Sequence, residues 1–318
     1  MMELALPPAA AALVHAAAQA RDYAAAAKAA NTRRAYQSDW RAFTTWCDEH
    51  GRASLPASPE TLILYMSVLA ETRKVATIQR RLSSISVAHQ LAGHASPTHD
   101  AHVRTVLQGI RRTKGTAPVA KEPVGTAVLR AMVEALPEGV GGVRDRALLL
   151  LGFAGAFRRS ELVSLDVADV RETNDGLIVT LRTSKTDQAG AGTQKGIPYG
   201  STPHTCPVRA LRAWKELAAL TEGPLFRPIN RHGQVRPRRL TGHAVATIVK
   251  RAAKNVGLEP EHFSGHSLRA GLATAAAQAG VSERVIMQQT GHKSLPVLRR
   301  YIRDGSLFRE NAAAQVGL

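Results

Sequence analysis

Between Asn31 and Lys114, apolar residues recur at helical spacing in four runs. Tyr36, Trp40, Phe43 and Cys47 share one face of a predicted helix that Asn31 can cap and Gly51 can stop. Ser58 followed by Pro59 has the form of a cap and first turn, and opens a second helix through Leu62, Met66 and Leu69. A third runs from about Thr77 to Leu91, with Ile78, Leu82 and Ile85 inward and Arg80, Arg81, Ser83 and Ser84 outward. A fourth follows Ser96-Pro97, turning Val103, Leu107 and Ile110 inward and presenting Arg104, Arg111, Arg112 and Lys114. The expectation for residues 31–114 is a small helical bundle with basic faces. Residues 1–30 are Ala-rich with a thin apolar face and receive no chemistry.

Residues 115–123 carry two prolines and no periodicity, which predicts a linker. Beyond it, residues 124–318 form a second domain of mixed pattern. Helices are expected at about 125–136, 143–155, 207–220 and 241–256, and the run Ala147 to Phe153 is apolar all round, as in a helix at the centre of a core. Leu177 to Arg182 and Gly196 to Tyr199 have the pattern of short strands joined by a Gly-rich loop that holds Lys185. The fold class is therefore mainly α, with a small β-sheet in the second domain.

Composition narrows the class of partner. A formal net charge of +17, spread over both halves of the 318 residues, favours a polyanion, and nucleic acid is the commonest one. Two cysteines, Cys47 and Cys206, exclude a disulfide framework and any multi-cysteine zinc site, in keeping with a reducing, cytoplasmic setting. The start has no signal-peptide pattern, and no apolar run is long enough to span a membrane.

The candidate chemistry is densest from Ser264 to Tyr301. His266 and Arg269 are three apart and share a helix face, with Ser264 placed to cap that helix. Two donor side chains then lie beside its partly positive end, an arrangement suited to phosphate. Gly291-His292 follows, and then Tyr301, a possible nucleophile in the basic run from Leu298 to Arg303. Upstream, Arg158 and Arg159 end an apolar helix beside Glu161, and an arginine near a core implies a paired carboxylate or anion. Lys185 taken by itself is an ordinary solvent-exposed loop charge. His262 and His266 are four apart, but they lack the His-Glu-x-x-His order of a metal hydrolase.

In chain order, Arg158 with Glu161, Lys185, His266 with Arg269, His292 and Tyr301 resemble the active-site set of the tyrosine recombinase (phage integrase) family, closest in style to its Cre-like members. The resemblance spans Asn31 to Ile302. It implies a helical DNA-binding domain and a mixed catalytic domain clamping double-stranded DNA, with cleavage through a 3′-phosphotyrosyl intermediate and strand exchange by way of a Holliday junction. It also implies a homotetramer on two inverted-repeat sites, a C-terminal tail docking on a neighbouring subunit, and no metal, ATP or other cofactor. Under it, Tyr301 attacks, Arg158, Arg269 and His292 hold the nonbridging oxygens, Lys185 protonates the leaving oxygen, His266 acts as general base or second phosphate ligand, and Glu161 orients its neighbours. Candidate DNA contacts are Arg80, Arg81, Arg111, Arg112, Arg239 and His243, with Arg80 to guanine the strongest chemistry. A catalytically silent DNA-binding protein of the same fold is the alternative.

Overall fold

The computed structural model describes residues 30–116, 121–182 and 192–306, with Ala16 and Gln19 before them. Lys185, most of the Ala-rich segment, the middle of the expected linker and residues 307–318 lie outside the described residues. The chain divides into two compact units, Met1–Val119 and Ala120–Leu318.

The first unit has helices α1 (Ala30–Glu49), α2 (Pro59–Thr72), α3 (Val75–Leu91) and α4 (Ala101–Lys114). Ser58 caps α2, its hydroxyl accepting from Thr61 N–H at 3.1 Å, with Pro59 in the first turn. The core is the expected stripe: Phe43, Cys47, Leu62, Met66, Ile78, Leu82, Ile85 and Val103 are buried. One expectation shifts. Pro97–His99 forms a 3₁₀ turn, and α4 starts only after Asp100, whose carboxylate accepts from His102 and Val103 N–H. His89 is fully buried at the end of α3, where Nε2 accepts from Ala57 N–H at 2.9 Å and Nδ1 donates to Ile85 O at 2.8 Å. This histidine thus ties the α1–α2 connection to α3.

The second unit has α5 (Thr126–Glu134), α6 (Val140–Ala154), α7 (Arg159–Ser164), β1 (Val170–Thr173), β2 (Gly176–Leu181), β3 (Thr193–Pro198), α8 (Pro207–Leu217), α9 (Gly242–Asn255), α10 (Gly265–Gln278), α11 (Glu283–Thr290) and α12 (Leu295–Ser306). The strands form one antiparallel sheet in the order β1-β2-β3, with Leu177 opposite Ile197 and Val179 opposite Lys195. β1 escapes the sequence pattern because its residues, Val-Arg-Glu-Thr, are mostly polar and it is an edge strand. Helix α6 is central, as its apolar run predicts: Leu148 to Leu151 are buried, and it packs on α8 and α10. Gly271 lets the chain at Val124 lie directly on α10. A Cβ there would meet the Val124 carbonyl oxygen at 2.1 Å, and Val124 N–H donates to Ser267 O at 3.0 Å. Leu298 of α12 is fully buried with Ala273, Ala277 and Ile286, which anchors the basic helix on α10 and α11.

Candidate active site

Ser264 starts α10 as expected. Its hydroxyl accepts from His266 N–H at 3.2 Å, and its own N–H donates to Ser267 Oγ at 3.0 Å, so a reciprocal cap fixes the first turn. Three residues apart on that turn, His266 is exposed and Arg269 is 1% exposed. Arg269 Nη1 donates to Ala156 O at 2.8 Å, while its Nη2 is buried and has no protein partner. A buried guanidinium with an unused N–H pair is prepared for an acceptor that the protein itself does not supply. Burial, then the charge of Arg158, lowers the pKa of Arg269 to about 10.

Arg158 is the residue before α7. Its backbone N–H donates to Glu161 Oε2 at 2.9 Å and its Nη1 to Oε1, so the buried carboxylate caps the helix and aims the guanidinium. Arg159 is exposed, which makes Arg158 the arginine that joins the cluster.

His292 and Tyr301 complete it from the other side. α11 ends at Gly291 in the left-handed conformation (φ +66°), with Gly291 N–H on Met287 O at 2.7 Å. The next residue, His292, places Nδ1 2.8 Å from Thr290 Oγ1 and stacks on Tyr301 with centroids 5.6 Å apart. Thr290 Oγ1 donates its single proton to Ile286 O at 2.7 Å, so it accepts from His292 Nδ1–H and leaves Nε2 bare in the neutral ring. Burial, then the charges of Arg269, Arg158, His266 and Lys195, lower the pKa of His292 to about 4. Tyr301 OH lies 2.7 Å from His266 Nε2. Burial raises the tyrosine pKa, opposed by the charges of Arg269, Arg300 and Arg158. The structure thus brings together six of the seven expected residues, Arg158, Glu161, His266, Arg269, His292 and Tyr301. The seventh, Lys185, lies outside the described residues.

Two further residues reach the same place unannounced by the sequence reading. Lys195 on β3 is 5% exposed; its Nζ donates to Gly155 O at 2.7 Å and sits 4.9 Å from the Phe157 ring centroid. Gln289 on α11 donates to Ala154 O at 2.8 Å. The signal for Lys195 was period-two alternation with Ile197, which puts both on the inward face of β3.

The other expected DNA contacts are divided between the two units. In the first unit, Arg111 and Arg112 are exposed on α4. Arg80 donates to the buried Asp39 at 3.1 Å, and Arg81 donates to the Tyr65 hydroxyl. In the second, His243 is exposed in the first turn of α9, and Arg239 holds Val163 O at 2.7 Å, Leu165 O at 3.1 Å and the Asp166 carboxylate. His262 pairs with Glu122 at 2.8 Å and His266 with Tyr301, so the two histidines, set aside above as a metal pair, have different partners.

A small three-stranded sheet among helices, with two arginines, two histidines and a tyrosine converging at α7, α10 and α12, defines a tyrosine recombinase catalytic fold. Residues 125–306 match the phage integrase family, and the chain belongs to that family. It is 44% identical over 289 residues to an integrase/recombinase xerD homolog of Selenomonas ruminantium, covering 90% of this chain and 85% of that protein. Identity to the recombinase Cre of Escherichia phage P1 is 27% over 285 residues, covering 83% and 81%, so the figures do not single out Cre as the nearer likeness. The fold also matches a lambda integrase tetramer bound to a Holliday junction, with a TM-score of 0.59 and 17% identity, covering 86% of this chain and 72% of that one.

Proposed function

We propose that this protein is a site-specific DNA recombinase that cuts and rejoins strands without metal or ATP. The Tyr301 oxygen attacks the scissile phosphorus as its proton passes to His266 Nε2. The bond from phosphorus to the 5′ oxygen breaks, and that oxygen takes a proton from Lys185. The product is a 3′-phosphotyrosyl enzyme and a free 5′ hydroxyl, which attacks the phosphotyrosine of a second site to exchange strands through a Holliday junction. Arg158 and the unpartnered Nη2 of Arg269 take the nonbridging oxygens. His292 joins them through Nε2 once protonated, because the phosphate's negative charge restores the basicity that burial and the arginines remove. The working assembly is a tetramer on two inverted-repeat sites.

The observation that carries this reading is the 2.7 Å contact between Tyr301 and His266 within one chain, which supports attack by each tyrosine in its own site. The test is Tyr301→Phe on a DNA duplex nicked beside the cleavage position. The variant should bind DNA as the parent does and form no covalent adduct. Adducts that persist in the variant, or a parent protein that forms none, would overturn the reading.

A further inference from the structure

At the end of α6 the backbone leaves the helix through Gly155, Ala156 and Phe157 to reach Arg158. Ala156 is fully buried at φ +46°, a left-handed conformation that an L-residue with a Cβ adopts only under constraint. The N–H groups of this turn close back on the helix: Gly155 on Leu151 O, Ala156 on Phe153 O and Phe157 on Gly152 O. That leaves the carbonyls of Ala154, Gly155 and Ala156, orphaned as the last acceptors of a helix end must be.

Each of the three is taken by a side chain from a different element. Gln289 of α11 holds Ala154 O at 2.8 Å, Lys195 of β3 holds Gly155 O at 2.7 Å, and Arg269 of α10 holds Ala156 O at 2.8 Å. Gln289 also reaches Gly196 O at 3.3 Å, joining α11 to β3 beside Lys195. Arg269 belongs to the phosphate site itself. Lys195 and Gln289 have their donors on backbone oxygens and need not touch DNA to matter.

We propose that Lys195 and Gln289 are positioning residues: by capping successive carbonyls of the strained turn they fix the direction in which Arg158 leaves it. This rests on the recombinase reading above. The turn is over-determined from three sides, and that is the condition under which a strained backbone persists and holds a guanidinium within the narrow tolerance that transition-state contacts require. It also links β3 to the arginine.

The test uses the full chain with Lys195→Met and, because burial makes that variant vulnerable in folding, Gln289→Leu, which keeps the volume at a half-buried site. Single-turnover cleavage of nicked duplex is measured on an ordinary scissile phosphate and on a methylphosphonate, which is neutral and has little need of an aligned arginine. Cleavage of the phosphodiester should fall roughly 10- to 100-fold, while the deficit on the methylphosphonate shrinks to a small factor. Equal loss on both substrates means general damage to the fold and overturns the proposal. Recovery of Lys195→Met on a 5′-thiol leaving group makes Lys195 the proton donor instead, and also overturns it. Hydrogen exchange supplies an arm independent of activity: amides of residues 155–158 should exchange faster in either variant while the middle of α6 stays protected, and unchanged exchange counts against the clamp. A parent protein that forms no adduct, by contrast, removes the recombinase reading and leaves the exchange arm to judge the turn.

Discussion

The Tyr301 hydroxyl and the imidazole of His266 meet at 2.7 Å although the two residues are 35 apart in sequence. α10 supplies the histidine from its first turn, and α12 brings the tyrosine back over it through the buried contact of Leu298 with Ala273 and Ala277. A phenol whose pKa is raised by burial is a poor nucleophile at neutral pH, and an adjacent imidazole is the group able to take its proton. His266→Gln, which can still hydrogen-bond but is not a base, should slow single-turnover cleavage by about 10²- to 10⁴-fold with little change in DNA affinity. Gel-shift and covalent-adduct assays on the same duplex check both halves, and undiminished cleavage would remove His266 as the base.

His292 makes stability depend on pH. Its folded pKa of about 4 lies below the ordinary 6.5, so as pH falls through 6.5 the unfolded chain takes up the proton first and stability is lost, levelling off below about 4. His292→Gln should lose less stability than the parent between pH 7 and pH 5. Urea midpoints at the two values measure it, and parallel losses would contradict the assignment.

Ser264→Ala removes the cap of α10. The expected cost is about 1 kcal/mol of stability. Because His266 N–H is the group being capped, cleavage should fall by more than the stability change accounts for. Denaturant unfolding set beside adduct formation at saturating DNA tests the difference.

Arg80 and Arg81 should separate by experiment. Arg81 is mostly buried and bonded to Tyr65, whereas the Arg80 side chain is 48% exposed beside Asp39. Arg81→Met should lower stability by about 1–3 kcal/mol. Arg80→Met should instead weaken DNA binding and, if its contact is to phosphate, reduce the salt slope of affinity by about 1. Titrations at several salt concentrations distinguish these outcomes.

Lys185→Ala should depress cleavage of an ordinary strand and recover on a 5′-thiol leaving group, which departs without a proton. No recovery would exclude Lys185 as the acid.

Much of this protein follows from local pattern. Helical periodicity placed Phe43, Cys47, Ile78 and Ile85 in the first core, and the cap chemistry of Ser58 and Ser264 located two helix starts, because both depend on residues within one or two turns of each other. The spacing of His266 and Arg269 and the chain order of Arg158, Glu161, His292 and Tyr301 were equally legible. What only tertiary structure decided is which groups share a space. Tyr301 could not be assigned to its own His266 until α12 was packed on α10, and the bare Nε2 of His292 follows from a threonine proton committed to Ile286 O. The partners of Lys195 and Gln289 were unmarked for the same reason, although alternation with Ile197 marks Lys195 as inward-facing. Their partners are backbone carbonyls of a turn set by a helix end, a strand and two other helices, and hydrogen bonds to backbone leave no trace in the identity of the residue that accepts them.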